Sequence, residues 1–445
     1  MNTGRAPTNL IFILADDLGY ADLGCTGARD GRGQPVDTSP NLDRMAAAGL
    51  RFTNGYSNSP VCSPTRFALI TGRWQYRLRG GAEEPLAGSA VGDKVLGISP
   101  EHPTLPSLLR DAGYATALAG KWHLGYPPHF GPRKSGYEEF FGFHAGGVDY
   151  FSFMTPRGKR DLWRNEDPSE AEGYLTDLIS DAAVEFVARQ NADRGFLLSL
   201  HYSAPHWPWQ TRDDRAESER IGAKVYHTDG GSLATYHRMI RQMDEGIGRV
   251  LDALATRGLA ENTLIVFTSD NGGERFSDVW PFVGGKMDLL EGGIRVPMLA
   301  RWPARITPGR ISDLPNMTMD WTATFLDAAG VPPHPDYPLD GVSLVPLFDD
   351  PAWRVRRDLF WRTTHRRQRA LRRDHWKYLS MDGHEYLFDL ATDERERANL
   401  ALREPACMAE LRAAWQAWDA GLPPVPEDAR THIAFDETQL PKGTH

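Results

Sequence analysis

Apolar residues along this chain fall into two kinds of run. One kind is short and unbroken: Asn9 to Ala15 (NLIFILA), Tyr114 to Ala119, Gly195 to Leu200 (GFLLSL), Thr263 to Thr268 (TLIVFT) and Val296 to Ala300. Consecutive apolar, β-prone positions predict strands buried on both faces of a mostly parallel sheet. The other kind recurs at helical spacing. Ser39 before Pro40 opens a short helix that Gly49 stops, and Thr104 to Ala112 repeats the arrangement ahead of Gly113. Tyr174 to Gln190, Leu233 to Arg257 and Met319 to Ala329 complete the helical set. Strands and helices alternate, which predicts an α/β unit with helices on both faces of its sheet.

The rhythm changes near Leu344. Beyond it, Asp358 to Arg362, Arg369 to Arg372, Trp376 to Leu379 and Tyr386 to Asp389 are short and separated by polar turns, as in a small antiparallel sheet. A helix from Pro405 to Trp418 follows, then a Pro-rich, irregular tail. The boundary therefore falls between Leu347 and Trp353, dividing the chain into an α/β unit, 1–350, and a C-terminal antiparallel-sheet unit with the tail, 351–445.

Composition narrows the class. With 41% hydrophobic and 24% charged residues the chain has a globular mix, which excludes disorder and fibre. Fifty Lys and Arg against 59 Asp and Glu give a net charge of −9 with interspersed signs, which argues against a dedicated nucleic-acid binder. Cys25, Cys62 and Cys407 are too few and too scattered for a disulfide framework or a paired-thiolate zinc site. The first apolar run is too short for a signal-peptide core, and no stretch approaches a membrane span. The expectation is a cytoplasmic protein without membrane contact, or a periplasmic or secreted one if a leader was removed.

In an open α/β sheet, ligands gather beyond the carboxyl ends of the strands. Those positions are unusually polar here: Asp16 and Asp17, Lys121 and His123, His201 and His206, Asp270 and Asn271. Asp16, Asp17, Asp270 and Asn271 offer hard oxygen donors only, the set for calcium or magnesium rather than zinc or copper. Either pair alone reads as a helix cap or a turn; both together, each behind a buried strand, favour a metal. Cys62 lies in PVCSPTRFALITGR, just before a helix that Pro64 can open. A helix start lowers a thiol pKa, so a plain cysteine nucleophile is one reading and a small buried apolar residue is the other. Trp207, Trp209, Tyr150 and Trp280 could line a cleft or simply pack, and His201, His227 and His237 read as structural or surface residues.

Cys62, Pro64 and Arg66 form C-x-P-x-R, followed by Leu69-Ile70-Thr71-Gly72-Arg73. Together with Asp16-Asp17, Lys121-x-His123, His206, Asp270-Asn271-Gly272-Gly273, Lys286 and Arg295-Val296-Pro297, in that order, this pattern resembles the type I, formylglycine-dependent sulfatases over residues 8–400. The resemblance implies an alkaline-phosphatase-like α/β fold with a smaller C-terminal sheet. It also implies hydrolysis of an aryl or carbohydrate sulfate ester, and modification of Cys62 to formylglycine by a formylglycine-generating enzyme. Asp16, Asp17, Asp270, Asn271 and the modified Cys62 would hold one divalent cation, usually Ca²⁺, with Mg²⁺ or Mn²⁺ also compatible with oxygen ligands. One hydroxyl of the hydrated aldehyde would attack sulfur and the other would expel sulfate. His123 would serve as base and His206 as acid to the leaving alcohol. Arg66, Lys121 and Lys286 would hold developing negative charge, with Lys121, His206, Lys286 and His144 contacting substrate. Two positions depart from the family pattern: Thr65 where serine is common, and Gly142 to Gly147 (GFHAGG), which carries His144 without the usual serine.

Three rival readings remain at this stage. A phosphonate monoester or phosphodiester hydrolase of the same superfamily would use the same nucleophile and ligands. A non-catalytic carbohydrate-binding relative would leave Cys62 unmodified, and a cysteine hydrolase would use its free thiol. A two-zinc phosphatase lacks its second cluster of His and Asp ligands.

Overall fold

The computed structural model describes residues 6–222 and 230–432, so His227 lies outside the described residues. A ten-stranded sheet forms the centre. Its order is Arg310–Ser312, Leu50–Phe52, Met298–Arg301, Thr263–Ser269, Asn9–Ala15, Phe196–His201, Ala115–Lys121, Glu139–Phe143, Trp163–Arg164 and Asp167–Pro168. The five strands from Thr263–Ser269 through Glu139–Phe143 pair in parallel. The anticipated strand after Val296 runs as Met298–Arg301 and is antiparallel to both neighbours, so the parallel core carries a mixed edge.

Alternation along the central strands explains the two-sided burial. In Asn9–Ala15, Ile11, Ile13 and Ala15 enter one apolar cluster with the helices Leu175–Ala188 and Leu233–Thr256. Leu10, Phe12 and Leu14 enter another with the helices Leu105–Asp111 and Asp320–Ala329. Thr263–Ser269 divides likewise, with Ile265 and Phe267 on one side and Leu264 and Val266 on the other. Both faces are therefore dry, and the unbroken apolar runs are the result.

The parallel register also sets where chemistry can gather. Ala15 pairs with Ser269, Leu14 and Gly120 both pair with His201, and Lys121 closes its strand at the same edge. Asp16, Asp270 and Trp122 thus leave the sheet side by side. Gly120 is required there: at φ +116° a Cβ would stand 1.7 Å from the His201 carbonyl oxygen.

A second sheet, antiparallel, takes Leu359–Arg362, Arg369–Arg373, Trp376–Met381 and His384–Asp389 in sequence order. Leu371, Tyr378 and Leu387 pack on Met408, Leu411 and Trp415 of the helix Pro405–Ala420. Its other face, with Trp361, Ala370, Leu379 and Phe388, shares a core with Tyr56, Ala68, Leu289 and Met317 of the main body. Polar contacts lock this junction. Lys377, fully buried, reaches Glu291 at 2.9 Å and Glu396 at 2.8 Å, and Tyr56 donates to Glu291 at 2.6 Å. Gln368 accepts from the Leu289 amide at 2.7 Å and donates to the Met287 carbonyl at 2.8 Å.

Removing the cation from such a buried pair strands two carboxylates. Lys377→Met is expected to lose about 3–5 kcal/mol of stability, read as a lower urea midpoint at unchanged m-value.

Candidate active site

The helix Cys62–Thr71 is buried at every one of its ten positions. Its sequence accordingly has no polar stripe. Cys62 is the first residue of this helix, after an extended Val61, rather than a residue ahead of it as the sequence suggests. Pro64 stands third, where the backbone N–H it lacks has no intrahelical acceptor. Thr65 keeps the hydroxyl function of a serine, accepting from the Ser59 amide and donating to the Ser59 carbonyl, each at 3.0 Å. The Lys286 loop is tied to the same helix start, because the Met287 amide donates to the Pro60 carbonyl at 2.9 Å.

Around Cys62 the strand ends assemble an ion network with almost no access to water. Arg66 Nε donates to Asp270 at 2.9 Å, and its NH1 donates to the Lys121 carbonyl at 3.2 Å. Lys121 Nζ lies 2.5 Å from Asp16. Asp17 accepts from Lys286 Nζ and from the Asn271 side-chain amide, both at 2.7 Å, and His206 Nε2 stands 3.5 Å away. Lys286 also bonds Glu274 at 3.0 Å. Asp17 and His123, each just past a strand end, hold φ of 62° and 59°, strained values that the surrounding contacts enforce.

The electrostatics show a shortage of positive charge. Four carboxylates, Asp16, Asp17, Asp270 and Glu274, face three cations, Arg66, Lys121 and Lys286. Burial raises Asp17, but Lys286 and then His206 outweigh it and hold its carboxyl well below the usual range. Burial pushes Asp16 up despite Lys121. Burial also pushes the Cys62 thiol up to about 11, against Lys121 and Lys286, so the low-pKa thiolate expected at a helix start is not formed. Here desolvation outweighs the helix dipole. Burial drives His123 and His206 well below the ordinary histidine value, and both are neutral imidazoles.

Each imidazole is held in one tautomer, since a carbonyl can only accept. His123 Nε2 meets the Leu86 carbonyl at 2.7 Å, which leaves Nδ1 as a buried lone pair without a hydrogen-bond partner. His206 Nδ1 meets the Trp207 carbonyl at 2.6 Å, which leaves Nε2 turned to Asp17.

The donors fit a hard divalent cation. Asp16 Oδ1 and Asn271 Oδ1 are buried without a hydrogen-bond partner. Ligating atoms of Asp16, Cys62 and Asp270 lie within 4.8 Å of one another, as do those of Asp16, Asp17 and His206. Unpaired buried oxygens beside a carboxylate excess are the environment such an ion neutralises.

A cavity of about 600 Å³ opens from this network. Cys62, His123, His206, Lys286 and Glu274 line its closed end, and His144 lines its wall, 3.5 Å from Asp161 and edge-on to Trp163. Arg66 and Lys121 lie beneath the lining, against Asp270 and Asp16. Trp207 faces the cavity, whereas Tyr150 is buried with its hydroxyl on the His206 carbonyl, and Trp280 is exposed elsewhere. His201 is buried against the Lys121 carbonyl. Sequence reasoning missed Glu274, although it directly follows Asp270-Asn271-Gly272-Gly273 and is the second anchor of Lys286.

The chain is similar to known proteins over most of its length. The family described as Sulfatase matches residues 8–331, and the one described as N-sulphoglucosamine sulphohydrolase, C-terminal, matches residues 285–415. N-acetylgalactosamine-6-sulfatase of Homo sapiens is 35% identical over 384 residues, covering 80% of this chain and 70% of that protein. Arylsulfatase A of Homo sapiens is 33% identical over 80% of this chain and 70% of its own length. The crystal structure of Ps i-CgsB in complex with k-i-k-neocarrahexaose superimposes with a TM-score of 0.80 at 30% identity, covering 93% of this chain and 92% of that one. With its alkaline-phosphatase-like sheet, its smaller C-terminal sheet and this likeness over most of its length, the chain belongs to the sulfatase family and is a sulfate ester hydrolase.

Proposed function

We propose that this sulfatase hydrolyses a saccharide sulfate monoester, with Cys62 matured to formylglycine and one Ca²⁺ held by Asp16, Asp17, Asp270, Asn271 and the modified residue. The observation that carries the reading is the position of Cys62. It stands at the start of a buried helix, at the closed end of the cavity, within reach of Asp16 and Asp270. Its thiol is a poor nucleophile there, so an unmodified cysteine hydrolase is disfavoured on physical grounds. The saccharide class is supported by Ps i-CgsB, whose complex holds a neocarrahexaose, and by the N-acetylgalactosamine-6-sulfatase relatives.

When present, the cation and the hydrated aldehyde supply an acidified hydroxyl nucleophile and charge neutralisation. This chain's own residues do the rest. Arg66 and Lys121 pair with Asp270 and Asp16 and orient their carboxyl groups beneath the nucleophile. Lys286 has three N–H groups and uses two on Asp17 and Glu274, leaving one for a sulfate oxygen. His206 acts as acid in its imidazolium form: the Trp207 carbonyl keeps the Nδ1 proton and fixes the ring, and a second proton gained at Nε2, beside Asp17, passes to the departing alcohol oxygen. His123 Nδ1 takes a proton from the hydroxyl at position 62, with Nε2 anchored on Leu86. His144, on the cavity wall, contacts the alcohol portion of the substrate.

Mass spectrometry of the tryptic peptide 52–66 tests the modification. The expected result is a loss of about 18 Da relative to cysteine, with hydrazide reactivity and no alkylation by iodoacetamide; a fully alkylated peptide from an active preparation would refute it. For the metal, Ca²⁺ at about 100 times its Kd should stabilise the chelated protein by about 2.7 kcal/mol, seen as a rise in Tm. The Asp17→Asn variant should show no such rise. Lys286→Ala is expected to lower kcat/KM for an aryl sulfate by about 10² to 10³. A change within a few-fold would remove Lys286 from transition-state stabilisation.

A further inference from the structure

The mouth of the cavity carries a feature that the hydrolytic chemistry does not use. Residues 154–160 form a tight hairpin: Met154 bridges Arg160, the Thr155 amide donates to the Lys159 carbonyl at 2.8 Å, and the Gly158 amide to the Thr155 carbonyl at 2.9 Å. The hairpin is anchored below by mutual backbone bonds of Asp149 with Phe153 and Met154 and by the Asp161 amide on the Phe153 carbonyl. Three of its residues, Arg157, Lys159 and Arg160, line the same cavity as Cys62. All three are exposed.

None of these cations is neutralised. Among the described residues, no carboxylate lies within ion-pair distance of Arg157, Lys159 or Arg160. Arg160 is spent on structure, donating to the Ser169 and Ala171 carbonyls and lying over the Phe153 ring at 5.2 Å. Arg157 and Lys159 have no such engagement. The Arg157 stem crosses toward the opposite wall, where its Cδ and Nε stand 3.0 Å from the place a Cβ on Gly88 would take. Gly88 thus leaves the room that the arginine occupies. Elsewhere on this chain of net charge −9, exposed arginines are paired with carboxylates, as Arg189 with Glu139 and Arg212 with Asp177, or engage backbone carbonyls, as Arg133 with Glu138 and Arg257 with Gln190. Unpaired cations concentrated at a cavity mouth focus the local field toward anions against the overall charge.

We propose that the Met154–Arg160 hairpin is a second anion subsite, in which Arg157 and Lys159 bind a further sulfate or carboxylate on the saccharide whose ester is cleaved at Cys62. The inference rests on the reading of the cavity as the sulfate ester site and names its substrate class: an oligosaccharide with at least two anionic groups. The sulfate to be cleaved belongs to the closed end, with Lys286 and His206. The cavity volume lies in the range that encloses ligands well beyond one sulfate group. A second anion at the mouth would align the saccharide across the opening by charge-assisted bonds.

The test uses three disaccharides with one scissile sulfate in common: neutral otherwise, carrying a second sulfate, or carrying a uronic carboxylate. For the mature enzyme, kcat/KM should favour at least one doubly charged probe over the neutral one by about tenfold, mainly through KM, with the preference shrinking as NaCl is raised. Comparison of the second sulfate with the carboxylate identifies the preferred group. In the double variant Arg157→Gln/Lys159→Gln the ratio should fall to near unity. An equal loss on all three probes, or an unchanged ratio, would overturn the subsite. Binding of the same probes to Cys62→Ala, by calorimetry, separates the two levels of the argument. A doubly charged preference that depends on Arg157 and Lys159 in that inactive background sustains the subsite even if no probe is turned over, whereas absence of any such preference there overturns it.

Discussion

A guanidinium only 1% exposed to water, clasped by a carboxylate at 2.8 Å, dictates much of what surrounds it. Arg66 cannot be desolvated alone, so Asp270 must meet it, and the Lys121 carbonyl must take another of its N–H groups. Lys121, equally buried, must in turn meet Asp16. Breaking any one of these contacts leaves a charge without solvent or partner, which is among the costliest defects a fold can carry. The parallel register brings the strand ends to one edge; the charge pairs fix which residues may stand there. Their sum is still one positive charge short, and the two orphaned oxygens of Asp16 and Asn271 mark where that shortage is felt.

Much of this is legible in the amino-acid sequence itself. Continuous apolar runs such as NLIFILA revealed a sheet covered on both sides, and Asp16-Asp17 and Asp270-Asn271 stood out because buried strands seldom end in paired acids. The ordered set around C-x-P-x-R carried the family. Other features had no periodic signature. The position of Cys62 was misjudged by one step because a proline usually opens a helix, whereas Pro64 is accommodated in the first turn after an extended Val61. The thiol shift was misjudged in sign because sequence shows a helix start but not that all ten residues of the helix are buried. The contact of Glu274 with Lys286, the contacts of Gln368 with residues 287–289, and the placement of the 154–160 hairpin beside the cavity of Cys62 each bring distant segments together, and spacing along the chain does not encode such meetings.

The cavity divides its labour between two kinds of charge. At its closed end the charges are dry, paired and rigid, suited to stabilising a fixed distribution of charge through a reaction. At its mouth they are wet and unpaired, suited to attracting and orienting a ligand in exchange for water. Loops from 76–99 and 150–171, both without long elements of their own, build this outer part. That arrangement lets the acceptor specificity vary while the buried network stays intact.

The junction with the C-terminal sheet has a further meaning. Gln368 spans the carbonyl of Met287 and the amide of Leu289, and Lys377 holds Glu291, so the segment that carries Lys286 is braced from outside the central sheet. Local openings of a protein need not follow its global stability. Fraying of the outer sheet would remove the outer half of this support and leave Lys286 held only by its contacts with the main body, such as Asp17 and Glu274, so activity would fall while the main fold remained whole. A lesion in 359–396 would then register as lost activity in an otherwise native molecule, and the distance of a substitution from Cys62 would be a poor guide to its effect.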